Sequence, residues 1–376
     1  MAAVAGEPLR AYVPPPLPPE PAVRLDGLYP SLEAANRALG RLDGVTAILP
    51  ATPLFLYMYV RKEALLSAQI EGTQSSLSDL ILFETDEAPG VPVDDVEEVS
   101  NYVAAMNLGI ERLRGGLPLS NRLIRELHAV LLKGGRGSRK RPGDFRRTQN
   151  WIGGTRPGNA RFVPPPPDHL AACMSDLEKF IHDDTDRLPL LVRVALVHVQ
   201  FETIHPFLDG NGRLGRLLIT LMLVAAGALR EPILYLSLYF KSHRRTYYDL
   251  LQGVRAEGDW EAWLEFFLEG VHETAEQAAV SAQQIMSLFE KDRAAIEGLG
   301  RPAASALKVH QYLQTRPIIS VPTAAYSLSL SAPTVRKSIN HLLELGMLEE
   351  ITGKERDRLF VYRNYLDTLA RGTEPL

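Results

Sequence analysis

A turn of small residues that leads into an apolar helix constrains this chain more than any other segment. Residues 205–216 read HPFLDGNGRLGR, and residues 217–229 form the longest apolar run of the sequence. Asp209, Gly210 and Gly212 favour a tight turn, and the apolar run favours a buried helix. Backbone N–H groups and the positive end of the helix dipole converge where such a helix begins. The segment therefore predicts an anion-binding turn in a helical protein.

The polar residues of this turn suit phosphate chemistry. Arg213 and Arg216 are three positions apart, so both can reach phosphate oxygens from the first helical turn. Asp209 can ligate Mg²⁺, which proteins often hold with one carboxylate and nucleotide phosphates. His205 lies four positions before Asp209 and can accept a hydroxyl proton near neutral pH. The residues thus predict a base, a metal ligand and a phosphate site within one turn.

Two other interpretations of the turn are weaker. Residues 210–215 also match the G-x-G-x-x-G dinucleotide pattern, but the preceding segment has helical periodicity and no βαβ unit surrounds it. A calcium loop would need further acidic ligands, which the segment lacks. A histidine that follows a helix is, in most proteins, only a polar end-cap.

The rest of the chain is mainly α-helical. Residues 1–30 contain a Pro-rich arm, and residues 31–115 form a helical region with an expected break at Asp43 and Gly44. Residues 116–297 form the core that contains the turn. Within it, residues 143–167 combine short β-prone pieces with Gly-Gly and Pro-Gly turns, which predicts a β-hairpin.

Residues 302–376 have a pattern of their own. Three short helices are followed by two strand-like pieces, residues 348–352 and 359–363, which predicts a winged helix-turn-helix. This unit has nine Lys and Arg against seven Asp and Glu, a net charge of +2. Arg336 and Lys337 on the predicted recognition helix, with Lys354, Arg356 and Arg358 on the wing, are placed for DNA phosphates. Winged helices also bind proteins, so both partners remain open.

Composition excludes several classes. A formal net charge of -4 gives no global basic field for nucleic acid or anionic lipid. The single cysteine, Cys173, excludes intramolecular disulfides and Cys-rich zinc sites and fits a cytoplasmic location. No apolar run reaches the roughly 20 residues that span a bilayer, so no membrane partner is expected.

The twelve residues 205–216 resemble the Fic signature H-P-F-x-[D/E]-G-N-G-R-x-x-R at every specified position. The resemblance implies a Fic-type helical core whose β-hairpin flap aligns target peptides, and an enzyme that transfers AMP from ATP to a Ser, Thr or Tyr hydroxyl of a protein. It implies His205 as the general base and Asp209 as the Mg²⁺ ligand. The roles that it implies in phosphate binding belong to Gly210, Asn211, Gly212, Arg213 and Arg216.

A second segment resembles another Fic motif. Residues 67–72, SAQIEG, match the inhibitory pattern [S/T]-x-x-x-E-[G/N], with Ser67, Glu71 and Gly72 at its specified positions. The resemblance implies an inhibitory helix in front of the core, in which Glu71 pairs with Arg216 and blocks the productive pose of ATP. Some relatives are implied to use this glutamate to remove AMP, and the sequence does not decide whether this chain does. From these six residues alone, a solvated carboxylate at a helix end is the more ordinary interpretation of Glu71.

Two further assignments follow from the resemblance. Trp151, Ile152 and Gly153 lie where the flap would pair with an extended target segment. Tyr247 lies in the region that supplies aromatic contacts to the adenine base, although it is equally a core aromatic residue.

The sequence therefore predicts a self-inhibited, Mg²⁺-dependent protein adenylyltransferase whose partners are ATP and target proteins, which can include itself. The family resemblance also makes a homodimer an open possibility. Two alternatives remain: a transcriptional regulator that senses a nucleotide and acts through the winged helix, and a Fic-type enzyme that transfers a phosphoryl group or UMP.

Overall fold

The structure is a computed structural model that describes residues 2–4, 7–48, 52–83, 93–134, 137–183, 185, 187–353 and 357–375. The first 297 residues contain eleven described α-helices. In chain order they are α1 (Tyr29–Ile48), α2 (Thr52–Ile70), α3 (Leu77–Phe83), α4 (Val93–Arg114), α5 (Asn121–Leu131), α6 (Leu170–Ile181), α7 (Leu190–Ile204), α8 (Asn211–Ala225), α9 (Ser237–Ser242), α10 (Arg244–Glu257) and α11 (Trp260–Glu297).

Helices α7 and α8 form the centre of the core. Nearly every residue of both helices is buried, as expected for helices that are apolar on all sides. The indole N–H of Trp263, on α11, donates to the Ala195 carbonyl of α7 at 3.0 Å. The loop between α7 and α8 contains the predicted anion-binding turn, which is therefore held between two buried helices.

The expected helix break at Asp43 and Gly44 is wrong. Helix α1 continues through both residues to Ile48 and packs along α11. The Asp43 side chain accepts a hydrogen bond from the Arg230 backbone N–H at 2.8 Å and pairs with its guanidinium at 3.3 Å. Tertiary packing therefore outweighs the low helix propensities of aspartate and glycine at this point.

The N-terminal arm lies beside the predicted flap. Two short strands, β1 (Ala2–Val4) and β2 (Glu7–Leu9), pair antiparallel, and the Tyr12 N–H then donates to the Val163 carbonyl at 2.9 Å. In the flap itself, the hairpin is reduced to one antiparallel bridge between Ile152 and Phe162. Gly153 and Gly154 have positive φ angles of 69° and 75°, which direct the chain into the turn after this bridge.

The C-terminal unit consists of four helices and a three-stranded antiparallel sheet of order β3-β5-β4. Its elements are α12 (Ala303–Thr315), β3 (Ile318–Ser320), α13 (Val321–Leu328), α14 (Ala332–Glu344), β4 (Glu349–Glu350), β5 (Leu359–Val361) and α15 (Arg363–Ala370). Ile318 and Glu349 both face Val361 across the sheet, so β5 is its central strand.

The predicted helices of this unit and its last two strands are present, with the strands shorter than expected. The sequence analysis missed strand β3 and helix α15. A three-residue strand carries too short an alternation to be recognised, and here the partner of β3 is β5, about 40 residues later. Lys354 and Arg356, assigned to the wing, lie outside the described residues.

The predicted mainly α fold is confirmed. No helix within the described ranges combines the length and apolar character that crossing a bilayer requires.

Candidate active site

The candidate base lies at the end of α7. His205 has φ 48° and ψ 60°, so its left-handed backbone ends the helix and turns the chain toward the anion-binding turn. Its carbonyl oxygen accepts a hydrogen bond from Arg146 Nε at 3.0 Å. Burial, followed by the charges of Arg255 and Arg146, lowers the pKa of His205 to about 3. The imidazole is therefore neutral at physiological pH, as a general base must be.

Two side chains that the sequence analysis did not single out hold the turn. Buried Arg146 also donates to the carbonyl of Pro165 at 2.5 Å, so it joins the base to the flap. His128 accepts from the Gly143 N–H through Nδ1 at 2.8 Å and contacts the Asp209 carbonyl through Nε2 at 3.0 Å. The only sequence signal for His128 is a histidine on the apolar face of a helix.

The Asn211 side chain stabilises the turn through hydrogen bonds to the backbone of Phe207. It accepts from the Phe207 N–H at 2.9 Å and donates to the Phe207 carbonyl at 3.0 Å. The Asn211 amide is thus used by the protein itself, and its backbone begins α8 directly after Gly210, which has a φ of 76°. Because the Asn211 amide is occupied by Phe207, the backbone N–H groups at the start of α8 are the groups here that can receive an anion.

The two arginines of the motif have different environments. Arg216 is 1% exposed and donates to the Ser67 hydroxyl and carbonyl, both at 2.9 Å, and to Glu71 Oε1 at 2.7 Å. Arg213 instead pairs with Glu98 at 3.3 Å and with Asp209 at 3.6 Å. The structure thus places Arg216 in the cleft described below and directs Arg213 to carboxylates beside it.

Glu71 lies in the turn that follows α2, directly over the start of α8. A Cβ atom on Gly212 would collide with Glu71 Oε1, so only glycine allows this approach. Partial burial opposes ionisation of Glu71, but the charge and hydrogen bond of Arg216, with Arg213 and His205, lower its pKa overall. The side chain is 39% exposed, so an ionised carboxylate stands at the anion-binding turn within reach of solvent.

These elements surround a cleft of about 490 Å³, a size typical of small-ligand sites. The predicted residues that line it are Glu71, Trp151, Ile152, Gly153, His205, Gly212, Arg216 and Tyr247. Lining residues that the sequence analysis did not single out include Phe162, Glu202, Arg244, Tyr248, Gln252 and Arg255. The structure therefore brings residues of the 205–216 motif, of the predicted inhibitory segment and of the predicted flap to one cavity.

The remaining predicted residues lie outside the cleft lining. Asp209, Gly210, Asn211 and Arg213 form the turn behind it, and Ser67 and Gly72 flank Glu71 in the inhibitory segment. Among the described residues, no group of three His, Cys, Asp or Glu side chains could hold a metal ion. A metal at Asp209 would therefore need ligands from a bound nucleotide or from water.

Tyr247 is both a core residue and part of the cleft wall. Its ring is 1% exposed and stacks on Phe240 with 4.6 Å between ring centroids. Its hydroxyl contacts His198 Nε2 at 2.8 Å. Tyr248, its neighbour, is less buried and also lines the cleft. Tyr247 is thus a core aromatic residue that also borders the cleft, and its contact with an adenine base stays a prediction.

Two known family models match this chain. Residues 29–111 match the model of the Fic/DOC family N-terminal region, and residues 118–223 match that of the Fic/DOC family. The curated protein adenylyltransferase Fic of Culex quinquefasciatus is 34% identical over 214 residues, which cover 55% of this chain and 39% of that protein. The Aedes aegypti protein of the same name is 32% identical over 267 residues, which cover 65% of this chain and 49% of that protein.

The chain spans about half the length of these curated relatives or less. Among solved structures, a Fic family protein from Desulfovibrio desulfuricans superposes with a TM-score of 0.57 and 20% identity, covering 89% of this chain and 96% of that one. Residues 134–508 of Fic-1 from C. elegans superpose with a TM-score of 0.53 and 21% identity, covering 69% and 74%. These similarities show that the fold is shared.

Proposed function

Because this chain belongs to the Fic/DOC family, we propose that it is a self-inhibited protein adenylyltransferase, which transfers AMP from ATP to a Ser, Thr or Tyr hydroxyl of a protein. The main observation in support of this proposal concerns one cleft. It contains a neutral His205, the N-terminus of α8 and Arg216, and the Glu71 carboxylate is paired to that arginine. The names of the curated relatives support the transferred group.

The phosphates of ATP would bind at the start of α8. Backbone N–H groups of its first turn and the helix dipole favour negative charge. Because Gly212 has no side chain, the phosphates have room to approach this backbone closely. Arg216 would provide a bidentate clamp once it is released from Glu71. The adenine would lie toward α10, where Tyr247 and Tyr248 line the wall.

His205 would act as the general base. The proton of the target hydroxyl passes to its imidazole while the hydroxyl oxygen bonds to the α-phosphorus of ATP. The bond between that phosphorus and the diphosphate breaks, and the proton then leaves to solvent. Burial and the nearby arginines keep the imidazole neutral and therefore able to accept a proton, and the same causes weaken it as a base.

Asp209 fits the role of a Mg²⁺ ligand. Its carboxylate is 39% exposed, and its Oδ1 accepts from the Gly210 N–H at 2.6 Å, which fixes the group beside the turn. One carboxylate together with nucleotide phosphates is a common Mg²⁺ environment. When bound, the ion would neutralise phosphate charge, and Asp209 would hold it near the start of α8.

Glu71 would keep basal activity low. ATP must displace a carboxylate that is bonded to a fully buried arginine, and the γ-phosphate would meet the like charge of Glu71. The flap would bring the target, because Trp151, Ile152 and Gly153 line the cleft. The Ile152 N–H and carbonyl are already bonded to Phe162, so pairing with an extended segment would use the backbone of Trp151 and Gly153.

The test is to incubate wild type, Glu71→Gly and His205→Ala with Mg²⁺ and ATP and to measure intact masses. We expect additions equal to AMP on Glu71→Gly, little on wild type and none on His205→Ala. Equal incorporation by wild type and Glu71→Gly would reject self-inhibition. Absence of any addition, together with retained ATP binding and no transfer to proteins of a cell extract, would reject the transferase.

We also propose that residues 302–376 form a winged helix that binds DNA. The order helix, strand, helix, helix, strand, strand supports the winged helix, and the exposed Arg336 and Lys337 of α14 support contact with DNA phosphates. Ser331 caps α14 by accepting from the Thr334 N–H at 3.3 Å, which fixes the start of this helix.

A further inference from the structure

A single arginine of α10 connects the candidate base to the flap. Arg255 Nε donates to the Thr203 hydroxyl, and its Nη2 donates to the Glu202 carbonyl, both at 3.1 Å. Thr203 and Glu202 belong to the last turn of α7, immediately before His205. The arginine thus fixes the helix end from which the base projects.

The same guanidinium also contacts the flap. Arg255 Cζ lies 4.3 Å from the ring centroid of Phe162, a cation-π contact in a partly buried site. Phe162 is the bridge partner of Ile152, whose N–H donates to its carbonyl at 2.8 Å. The Arg255 side chain therefore contacts both the end of α7, which carries His205, and Phe162 of the flap.

We propose that Arg255 is a positioning residue of the transfer reaction, which aligns the flap-bound target hydroxyl with His205. The inference rests on the proposed function. A hydroxyl held about 1 Å from its productive position loses much of the benefit of preorganisation. Loss of the Arg255 contacts with α7 and with Phe162 should therefore lower the rate of AMP transfer more than the affinity for ATP.

The charge of Arg255 predicts a second measurable effect, on the pKa of His205. The charged and titratable groups that face His205 are Arg255 of α10, Arg146 near the start of the flap, Glu202 of α7 and Glu71 after α2. After burial, Arg255 is the largest cause that lowers the pKa of His205. Its removal should raise that pKa, so the acid limb of the pH–rate profile should move to higher pH.

The experiment compares Arg255→Gln with Arg255→Lys, both combined with Glu71→Gly. We expect Arg255→Gln to lower kcat by roughly 10- to 100-fold and to shift the acid limb upward. Arg255→Lys should lower kcat without that shift, because the charge remains. Arg245→Gln, a 94% exposed position on the same helix, is the matched control and should change neither.

Phe162→Leu, which removes the ring contacts to Arg255 and Tyr12 but keeps the charge of Arg255, should lower kcat and leave the acid limb of the pH–rate profile in place. NMR titration of His205 provides a readout that needs no transfer. An unchanged titration in folded Arg255→Gln would overturn the proposal, even if its rate is reduced, since that result describes a merely structural arginine. If the Glu71→Gly parent transfers no AMP, the proposed function fails, whereas the titration still tests Arg255.

A second inference concerns the segment after α15, residues 371–375, here called the tail. It returns to the core and contacts the helix that precedes Glu71. Gln69, which is fully buried, donates through Nε2 to the carbonyls of Ser75 at 2.9 Å and Thr373 at 2.7 Å. Gln69 lies within the inhibitory segment, two positions before Glu71.

Helix α9 holds the tail from the other side. Lys241 Nζ donates to the carbonyl of Gly372 at 3.1 Å and to that of Glu374. Gly372 has a φ of 78°, and a Cβ atom there would lie 2.6 Å from Leu238 Cδ1. Thr373 is 3% exposed and Gly372 is half-buried, whereas Arg371, Glu374 and Pro375 are exposed, so the tail is anchored to the core through its middle residues.

We infer that the tail of the C-terminal unit keeps the inhibitory segment in its locked position, so that displacement of the tail releases Glu71 from Arg216. This inference also rests on the proposed function. The C-terminal unit and the active site would then be coupled, because a partner that moves the tail would raise activity.

Gly372→Ala tests the coupling, since the new Cβ meets Leu238 and the positive φ disfavours alanine. We expect faster hydrogen exchange at residues 64–72 and severalfold higher AMP transfer than wild type. Combined with Glu71→Gly, the change should add nothing, because the lock is already open. Gly346→Ala is the matched control, with a φ of 69° in the same unit and no atom near the added Cβ.

Lys241→Met gives an independent variant that removes two hydrogen bonds to the tail. Unchanged exchange at residues 64–72 in both folded variants would overturn the inference. Additional activation in the Glu71→Gly background would also overturn it, because the tail would then act by another route. An inactive Glu71→Gly parent would reject the proposed function, and the exchange measurement would still decide the coupling.

Discussion

Glu71 and Arg216 are 145 positions apart in the chain, yet Arg216 Nη2 donates to Glu71 Oε1 at 2.7 Å. The arginine is buried in the wall of the cleft, and the carboxylate is 39% exposed at its mouth. A bound anion at the start of α8 would compete with this carboxylate for the same guanidinium. The pair thus joins a segment in front of the core to the candidate chemistry within it.

Ser67→Ala should weaken the lock. Arg216 Nε donates to the Ser67 hydroxyl at 2.9 Å, and a hydrogen bond to a charged group contributes about 1.5–3 kcal/mol. We expect basal AMP transfer above that of wild type and below that of Glu71→Gly, measured as initial incorporation. Ser75→Ala, which changes a buried hydroxyl that has no hydrogen-bond partner among the described residues, is the control. Wild-type activity in Ser67→Ala would show that the glutamate alone maintains the lock.

His128→Phe should slow transfer although the residue lies outside the cleft lining. The imidazole stacks on Phe207 at 3.7 Å and contacts the Asp209 carbonyl, so phenylalanine keeps the stacking and loses the polar contacts. In the Glu71→Gly background we expect kcat to fall roughly tenfold or more, because the turn loses its support. Circular dichroism would establish that the variant is folded. Full activity would contradict this role of His128.

Glu202 should make stability depend on pH. Burial raises its pKa to about 7 from an ordinary value of 4.5, so the folded protein retains a proton that the unfolded chain loses. The free energy of unfolding therefore falls as pH rises from about 4.5 to about 7, by about 3 kcal/mol at most.

Glu202→Gln removes this contribution. We expect the Tm of the variant, relative to wild type, to increase between pH 5 and pH 7.5. The buried histidines, including His198 with a pKa lowered to about 3, act in the opposite direction in both proteins and cancel in the difference. A constant difference in Tm across this range would show that Glu202 titrates normally.

Arg336→Ala combined with Lys337→Ala should reduce DNA binding by the full chain. If the exposed face of α14 contacts phosphates, wild type should bind duplex DNA with an affinity that falls as salt increases, and the variant should show a shallower salt dependence. Fluorescence anisotropy at several salt concentrations measures both quantities. Lys308→Ala, on α12 of the same unit, is the control. No binding by wild type at low salt would direct the C-terminal unit toward a protein partner.

Much of the fold was predictable because its signals are local. Helical periodicity indicated a mainly α chain, and short turn-forming residues indicated where α8 begins. The errors arose where distant packing overrode local preference. Helix α1 continues through Gly44 because it packs against α11, and the flap retains one bridge where two strands were expected.

The sequence alone predicted the chemistry of residues 205–216, because a histidine, a carboxylate, a turn of small residues and two arginines are adjacent in the chain. It left open whether Glu71 is solvated, and only the family resemblance suggested its arginine partner. Which arginine faces the cleft is decided by folding: Glu98, on α4, takes Arg213, whereas Arg216 points to Glu71.

Tertiary structure also decided the contacts that no spacing reveals. Gln69 and Thr373 meet across 304 positions, and Arg255 of α10 reaches both α7 and the flap. The neutral state of His205 likewise depends on burial and on arginines from other elements. Residue types define which reactions are chemically available, but proximity and desolvation arise only when the helices pack.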